Sequence, residues 1–290
     1  MVEIVCLDET RNVLGEGPIW NEKDASLYWC DNIAGKIHRY TPSDKAMKTW
    51  DTPEEIGSLV FRKNGGIVAG MKAGFSFIDL EKGTFKHVAD ADSGPTKCMN
   101  DGKCDRRGRY WCGSINRDVK SADAGLYRLD PDLSVHKLES GIIASNGIAF
   151  SPDDKTMYYA DSRADVVWAY DLDIDTGELS NRREFISTRD MAARVDGATC
   201  DIEGNYWCAH IYDWHIACYD PKGKLIRRVR MPVRHPTMCT FGGKDYDVMY
   251  VTSATRMAEP TDLASQPHAG GLFAIYGLGA RGLPEPLFGG

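Results

Sequence analysis

The sequence predicts an all-β chain: a single six-bladed β-propeller of four-stranded antiparallel blades, with residues 1–290 forming one domain. Three observations lead there. Short runs rich in aromatic and β-branched residues recur about every 40 to 50 residues, the spacing of a repeat architecture. A second, alternating run follows most of them, and a third precedes each. No amphipathic stretch of helical length separates these runs, and no Pro- or Gly-rich linker divides the chain, which disfavours a parallel α/β fold.

The runs that precede each repeat are Glu16–Trp20, Gly57–Phe61, Asp101–Asp105, Asn146–Phe150, Asp196–Cys200 and Thr237–Phe241. They are expected to lie nearest the propeller axis, where blades converge and small residues let backbones approach. The apolar runs are Ser26–Cys30, Gly66–Ala69, Arg109–Cys112, Thr156–Ala160, Asn205–Cys208 and Val248–Val251. Alternating runs follow at Ile37–Tyr40, Phe75–Asp79, Leu126–Asp130, Val167–Asp171, Ile216–Asp220 and Leu272–Ile275. Turn chemistry such as Asp220-Pro221-Lys222-Gly223 closes several of them. The basic run Lys224–Arg230 reads as an outer strand facing solvent. Trp29, Trp111 and Trp207 recur in one register, which is the pattern of packing between blades.

Composition narrows the function classes. A chain with 42% hydrophobic and 27% charged residues can bury a core, so wholesale disorder is excluded. A formal charge of −7 opposes general binding to nucleic acid or anionic membranes, which needs a concentrated positive field. The opening MVEIVCLDETRN lacks a basic segment followed by an apolar one, and no run of about 18 apolar residues occurs. The expectation is a cytoplasmic protein with a small-molecule substrate, neither nucleic-acid nor membrane partner, and a monomeric state by default. Nine cysteines without a C-x-x-C pair predict reduced, mostly buried thiols rather than a disulfide framework or zinc ribbon. No Gly-x-Ser-x-Gly elbow supports a serine nucleophile.

The inner runs carry the chemistry. Glu16, Asn146 and Asp196 head three of them in equivalent register, and Asn100 with Asp101 heads a fourth. Any one Asx-Gly pair is ordinarily a turn. Three polar residues in register direct two carboxylates and a carboxamide to one mouth of the channel, where they repel unless a cation sits between them. One divalent metal ion is expected, with Glu16, Asn146 and Asp196 as ligands; the donor set admits calcium, magnesium, manganese, zinc or ferrous iron. Three protein ligands leave positions for water and substrate, the arrangement of a catalytic site.

The segments LGEGPIW (14–20), MNDGKCDRRGRYWCGS (99–114), SNGIAFSPDDKTMYYADS (145–162), VDGATCDIEGNYWCA (195–209), FGGKDYDVMYVTSA (241–254) and the terminal GGLFAIYGLGARGLPEP resemble the regucalcin, gluconolactonase and luciferin-regenerating-enzyme family. The resemblance spans essentially the whole chain. It implies a six-bladed propeller, one divalent metal on Glu16, Asn146 and Asp196, and hydrolysis of a sugar-derived lactone. It also implies that Asn100 contacts substrate near the metal. Asp118 falls where relatives place a glutamate that binds sugar hydroxyls, and Cys98 where many carry a substrate-binding arginine. Asp101 is expected to help Asn100 position the ring oxygens or hydroxyls.

In the expected mechanism the metal polarises the lactone carbonyl and Asp196 activates water. Loops 115–124 and 187–195 are expected at the substrate rim, where Arg117, Arg189 or Arg194 is a candidate for the cationic contact absent at Cys98. The alternatives are the same metal site acting on a non-sugar lactone, ester or phosphotriester, or a non-catalytic calcium-binding propeller.

Overall fold

Strands adjacent in sequence pair with one another, because short hairpin connections close antiparallel ladders locally. The computed structural model describes residues 1–92 and 94–290. Its strands form six four-stranded antiparallel sheets arranged as a six-bladed β-propeller. In the first five blades the strands run in chain order from the axis outward, as in Gly15–Asn21, Ser26–Asp31, Lys36–Thr41 and Ala46–Asp51. The sixth blade is composite. Its inner three strands are Pro236–Gly242, Val248–Ser253 and Leu272–Tyr276, and its outermost is the N-terminal Glu3–Asp8, paired antiparallel from Glu3 against Tyr276. The N-terminal strand thus closes the ring.

The sequence runs coincide with the inner three strands of each blade. Lys224–Arg230 contributes the outermost strand Leu225–Arg230, half-solvated as its charge requires. The expected tryptophans are buried, and two receive matching anchors. Trp111 Nε1 donates to Asp105 Oδ2 and Trp207 Nε1 to Asp201 Oδ2, each at 2.8 Å. Each aspartate also takes backbone N–H groups of its own turn, so the polar edge of each indole is satisfied inside the core. All nine cysteines are free. One short helix, Pro260–Ser265, lies between the second and third strands of the last blade.

One irregularity recurs in all six blades. The ladder between the first and second strands shifts register at Glu16/Ile19, Ile56/Ser58, Met99/Gly102, Asn146/Ala149, Val195/Ala198 and Pro236/Met238. A bulge bends the strand and re-aims a side chain that regular alternation would place on a blade face. Glycine permits the bend: Gly147 has φ +61°, and a Cβ on Gly57 would stand 2.2 Å from the carbonyl oxygen of Met99 in the next blade.

The C-terminal tail crosses one side of the ring. Phe288 is fully buried, its N–H donates to the Phe61 carbonyl and its carbonyl accepts from Lys63 N–H. Lys103 on an inner strand pairs at 2.6 Å with Glu285 on the tail.

Candidate active site

The bulges gather side chains from separate blades into one cavity of about 170 Å3. Its wall includes Glu16, Asn100, Asn146 and Asp196, with Leu14, Ile115 and Ile211 among the apolar residues and Arg117, Arg163, Arg194 and Arg256 among the cationic ones. A cavity of this size, open on the side where Arg163 and Arg256 are exposed, suits a small molecule.

Glu16, Asn146 and Asp196 are each no more than 7% exposed. Burial holds the Glu16 carboxyl well above the usual range, and the nearby charges of Asp196 and Asp101 push it further. Burial and Asp101 do the same to Asp196. Carboxylates confined in this way stay ionised only beside a positive charge.

Asn146 is oriented by its neighbours. Asn100 Nδ2 donates to Asn146 Oδ1 at 2.9 Å and to the Ser145 carbonyl at 2.9 Å. Asn146 Nδ2 donates to Ser162 Oγ at 2.8 Å, and Ser162 donates in turn to the Val195 carbonyl beside Asp196. The amide is therefore fixed, its oxygen taking one hydrogen bond from Asn100 and keeping a second lone pair. The donor set and its orphaned negative charge fit a divalent cation.

Aspartates at the ends of second strands set the approach of the inner strands. Asp31 accepts from Val13 and Leu14 N–H just before Glu16, and Asp161 accepts from Ile143 and Ala144 N–H just before Asn146. Of the residues that follow them, Ser162 lines the cavity, and Asn32, outside the wall, accepts from Arg117. These pairs were not singled out in the sequence, although Asp31-Asn32 and Asp161-Ser162 end equivalent strands and that repetition is the signal that finds them.

Three expected substrate contacts lie elsewhere. Asp101 is buried but does not line the cavity; its Oδ2 accepts from Ile148 N–H at 3.0 Å while Oδ1 has no hydrogen-bond partner among the described residues. Burial raises its carboxyl to about 6. Cys98 is 1% exposed and also absent from the wall, its thiol raised by burial to about 11. Asp118 is exposed outside the cavity, where its Oδ1 accepts the N–H of Lys120 within its own loop. The shorter side chain spends its carboxylate on that local turn.

Of the rim arginines, Arg117 and Arg194 line the cavity and Arg189 does not. Arg189 pairs with Glu184 at the surface. Arg117 is held by Glu55, with its Nε at 3.1 Å and Nη2 at 2.9 Å from Oε2, and it donates to Asn32 Oδ1. Cys104 and Cys112 are buried in strands, and burial raises both thiols, as core cysteines require.

The SMP-30/gluconolactonase/LRE-like region model matches residues 14–255. The chain belongs to that family. Among its relatives, regucalcin of Danio rerio is 37% identical, covering 100% of this chain and 99% of that protein. The 6-deoxy-6-sulfogluconolactonase of Pseudomonas putida is 33% identical, covering 98% of each. A calcium-binding regucalcin from Agrobacterium tumefaciens has the same fold, with a TM-score of 0.94, 27% identity, and coverage of 98% of this chain and 96% of that one. Among the described residues no helix is long and apolar enough to cross a membrane.

Proposed function

We propose that this lactonase hydrolyses a small sugar-derived lactone with the help of one divalent cation held by Glu16, Asn146 and Asp196. The observation that carries the reading is the convergence of two buried carboxylates and an oriented carboxamide oxygen on one small cavity with open wall beside them. When bound, such a cation supplies Lewis-acid polarisation of the acyl carbonyl and offsets the carboxylates' charge. Calcium, magnesium, manganese, zinc and ferrous iron all suit this donor set.

The chain's own residues do the rest. Asp196 orients the attacking water and accepts its proton as the new C–O bond forms. The ring C–O bond then breaks, the proton passes to the departing ring oxygen, and the product is an open hydroxy acid. At neutral pH that acid ionises and releases one proton to solution. Asn100, pinned between Asn146 and Ser145, holds the lactone near its acyl end. Arg117, fixed by Glu55 and Asn32, provides the cationic contact that Cys98 does not, because Cys98 is sealed behind the wall. In this reading the whole chain acts as one domain, a cytoplasmic monomer whose partner is its substrate.

Proton release from a panel of aldonolactones tests this, using chelated protein alone and after each cation is restored. Restored turnover supports the reading. Tight cation binding without turnover of any lactone overturns the catalytic role and favours a binding propeller.

A further inference from the structure

The cavity is electrically polarised along its depth. Among the described residues its lining carboxylates are Glu16 and Asp196, both buried, whereas Arg163 and Arg256 in the same wall are exposed. Two of the four lining arginines are already neutralised: Arg117 by Glu55, and Arg194 by Asp165 with Nε to Oδ1 at 3.0 Å. Arg163 and Arg256 have no carboxylate partner among the described residues. Both are nevertheless fixed at the backbone. Arg163 N–H donates to Asp161 Oδ1 and Arg256 N–H to the Val13 carbonyl, each at 3.0 Å.

On a chain with a formal charge of −7, two exposed arginines without a carboxylate partner in one cavity wall are a local excess of positive charge. A lactone whose acyl carbon sits beside the buried Glu16 and Asp196 would present its far end toward the exposed side of the wall, to which Arg163 and Arg256 belong. A guanidinium is also the side chain best matched to planar or tetrahedral oxyanions.

We propose that Arg163 and Arg256 form an anion subsite, and that the substrate is a lactone carrying a carboxylate, sulfonate or phosphate at the end remote from its acyl carbon. This rests on the lactonase reading above. The mouth draws such a substrate in and orients it, and the buried end carries out the hydrolysis.

The test compares the metal-restored full-length protein on neutral glucono-1,5-lactone, on its 6-phosphate and on D-glucaro-1,4-lactone. Wild type is expected to favour both anionic lactones in kcat/KM. Arg163→Gln and Arg256→Gln are each expected to lower the ratio of anionic to neutral kcat/KM about tenfold, the size of a charge-assisted hydrogen bond, mainly through KM. Either anionic lactone exceeding the neutral one, with that excess lost in the variants, supports the subsite. No preference for either, or a ratio unmoved by both variants, overturns the proposal.

Binding of D-glucarate against D-gluconate, measured calorimetrically on the same proteins, separates the two readings. If no lactone is turned over but glucarate binds more tightly and loses that advantage in the variants, the subsite stands and the lactonase reading falls. Equal affinity for the two acids sinks the subsite whatever the turnover.

Discussion

Asp101→Asn in the chelated protein offers the sharpest check on the electrostatics of the channel. The substitution is nearly isosteric, and the amide oxygen keeps the acceptor role toward Ile148 N–H. It removes a carboxylate that burial disfavours as an anion and whose charge raises Glu16 and Asp196 in turn. The Asp101 carboxyl lies at about 6 in the fold against an ordinary 3.8, chiefly because it is buried. That difference costs about 3 kcal/mol of stability once the group is ionised in the folded state. Between those two pH values the folded chain keeps the proton that the unfolded chain has lost, so metal-free stability falls as pH rises and levels off above about 6. Asp101→Asn should therefore stabilise the chelated protein by about 3 kcal/mol at pH 8 and by about half that at pH 5. For a chain of this size the larger figure is about 6 °C in Tm. Thermal denaturation with chelator at both pH values reads this directly. Restoring the cation should shrink the gain, because the cation already offsets the charge. A variant no more stable than wild type at pH 8, or a gain that grows as pH falls, would refute the reasoning.

Other consequences follow from the same geometry. Asp196→Ala should lose cation affinity and reduce turnover at least about a hundredfold, measured by titration calorimetry and proton release, since it removes a ligand and the proton acceptor together; unaltered binding and turnover would contradict both roles. Ser162→Ala should weaken cation affinity about tenfold while the fold persists, as expected when a ligand loses the partner that orients it. Phe288→Ala should cost about 3–5 kcal/mol in denaturant unfolding because the ring is wholly buried, with kcat at low temperature little changed. Exchanging loop 187–195 should disturb the rim at Arg194, altering substrate preference more than cation affinity; the reverse would remove that loop from the rim.

Much of the architecture was legible because a propeller writes its geometry into a repeat. Period-two alternation and turn residues recur once per blade, so Ser26–Cys30, Arg109–Cys112 and Asn205–Cys208 announce the same strand three times. Glu16, Asn146 and Asp196 stood out for the same reason, each a polar residue before a small one at an equivalent point. The neighbours that position them were harder to see. Asn32 and Ser162 act across blade boundaries, and their chemistry depends on which strand they face.

The side chains expected to touch substrate divide on the same principle. Asn100 and Asp101 are adjacent, yet the bulge at Met99/Gly102 sends one into the cavity wall and leaves the other behind it. Cys98 and Asp118 flank the site in sequence but lie outside its wall, one sealed by packing and the other engaged in its own turn. Adjacency along a chain does not fix direction at an irregular strand.

By itself, then, the sequence determined the repeat, the blade count, the family and the ring of polar residues nearest the axis, because each is a periodic property that local interactions repeat. Only the tertiary structure decided that Glu3–Asp8 completes the last blade, that the tail around Phe288 crosses one side of the ring, and that Arg163 and Arg256 share a cavity with Glu16 and Asp196. The physical reason is closure. Residues hundreds of positions apart become neighbours only when the sixth blade meets the first, and no local pattern encodes which side chains then face the same space.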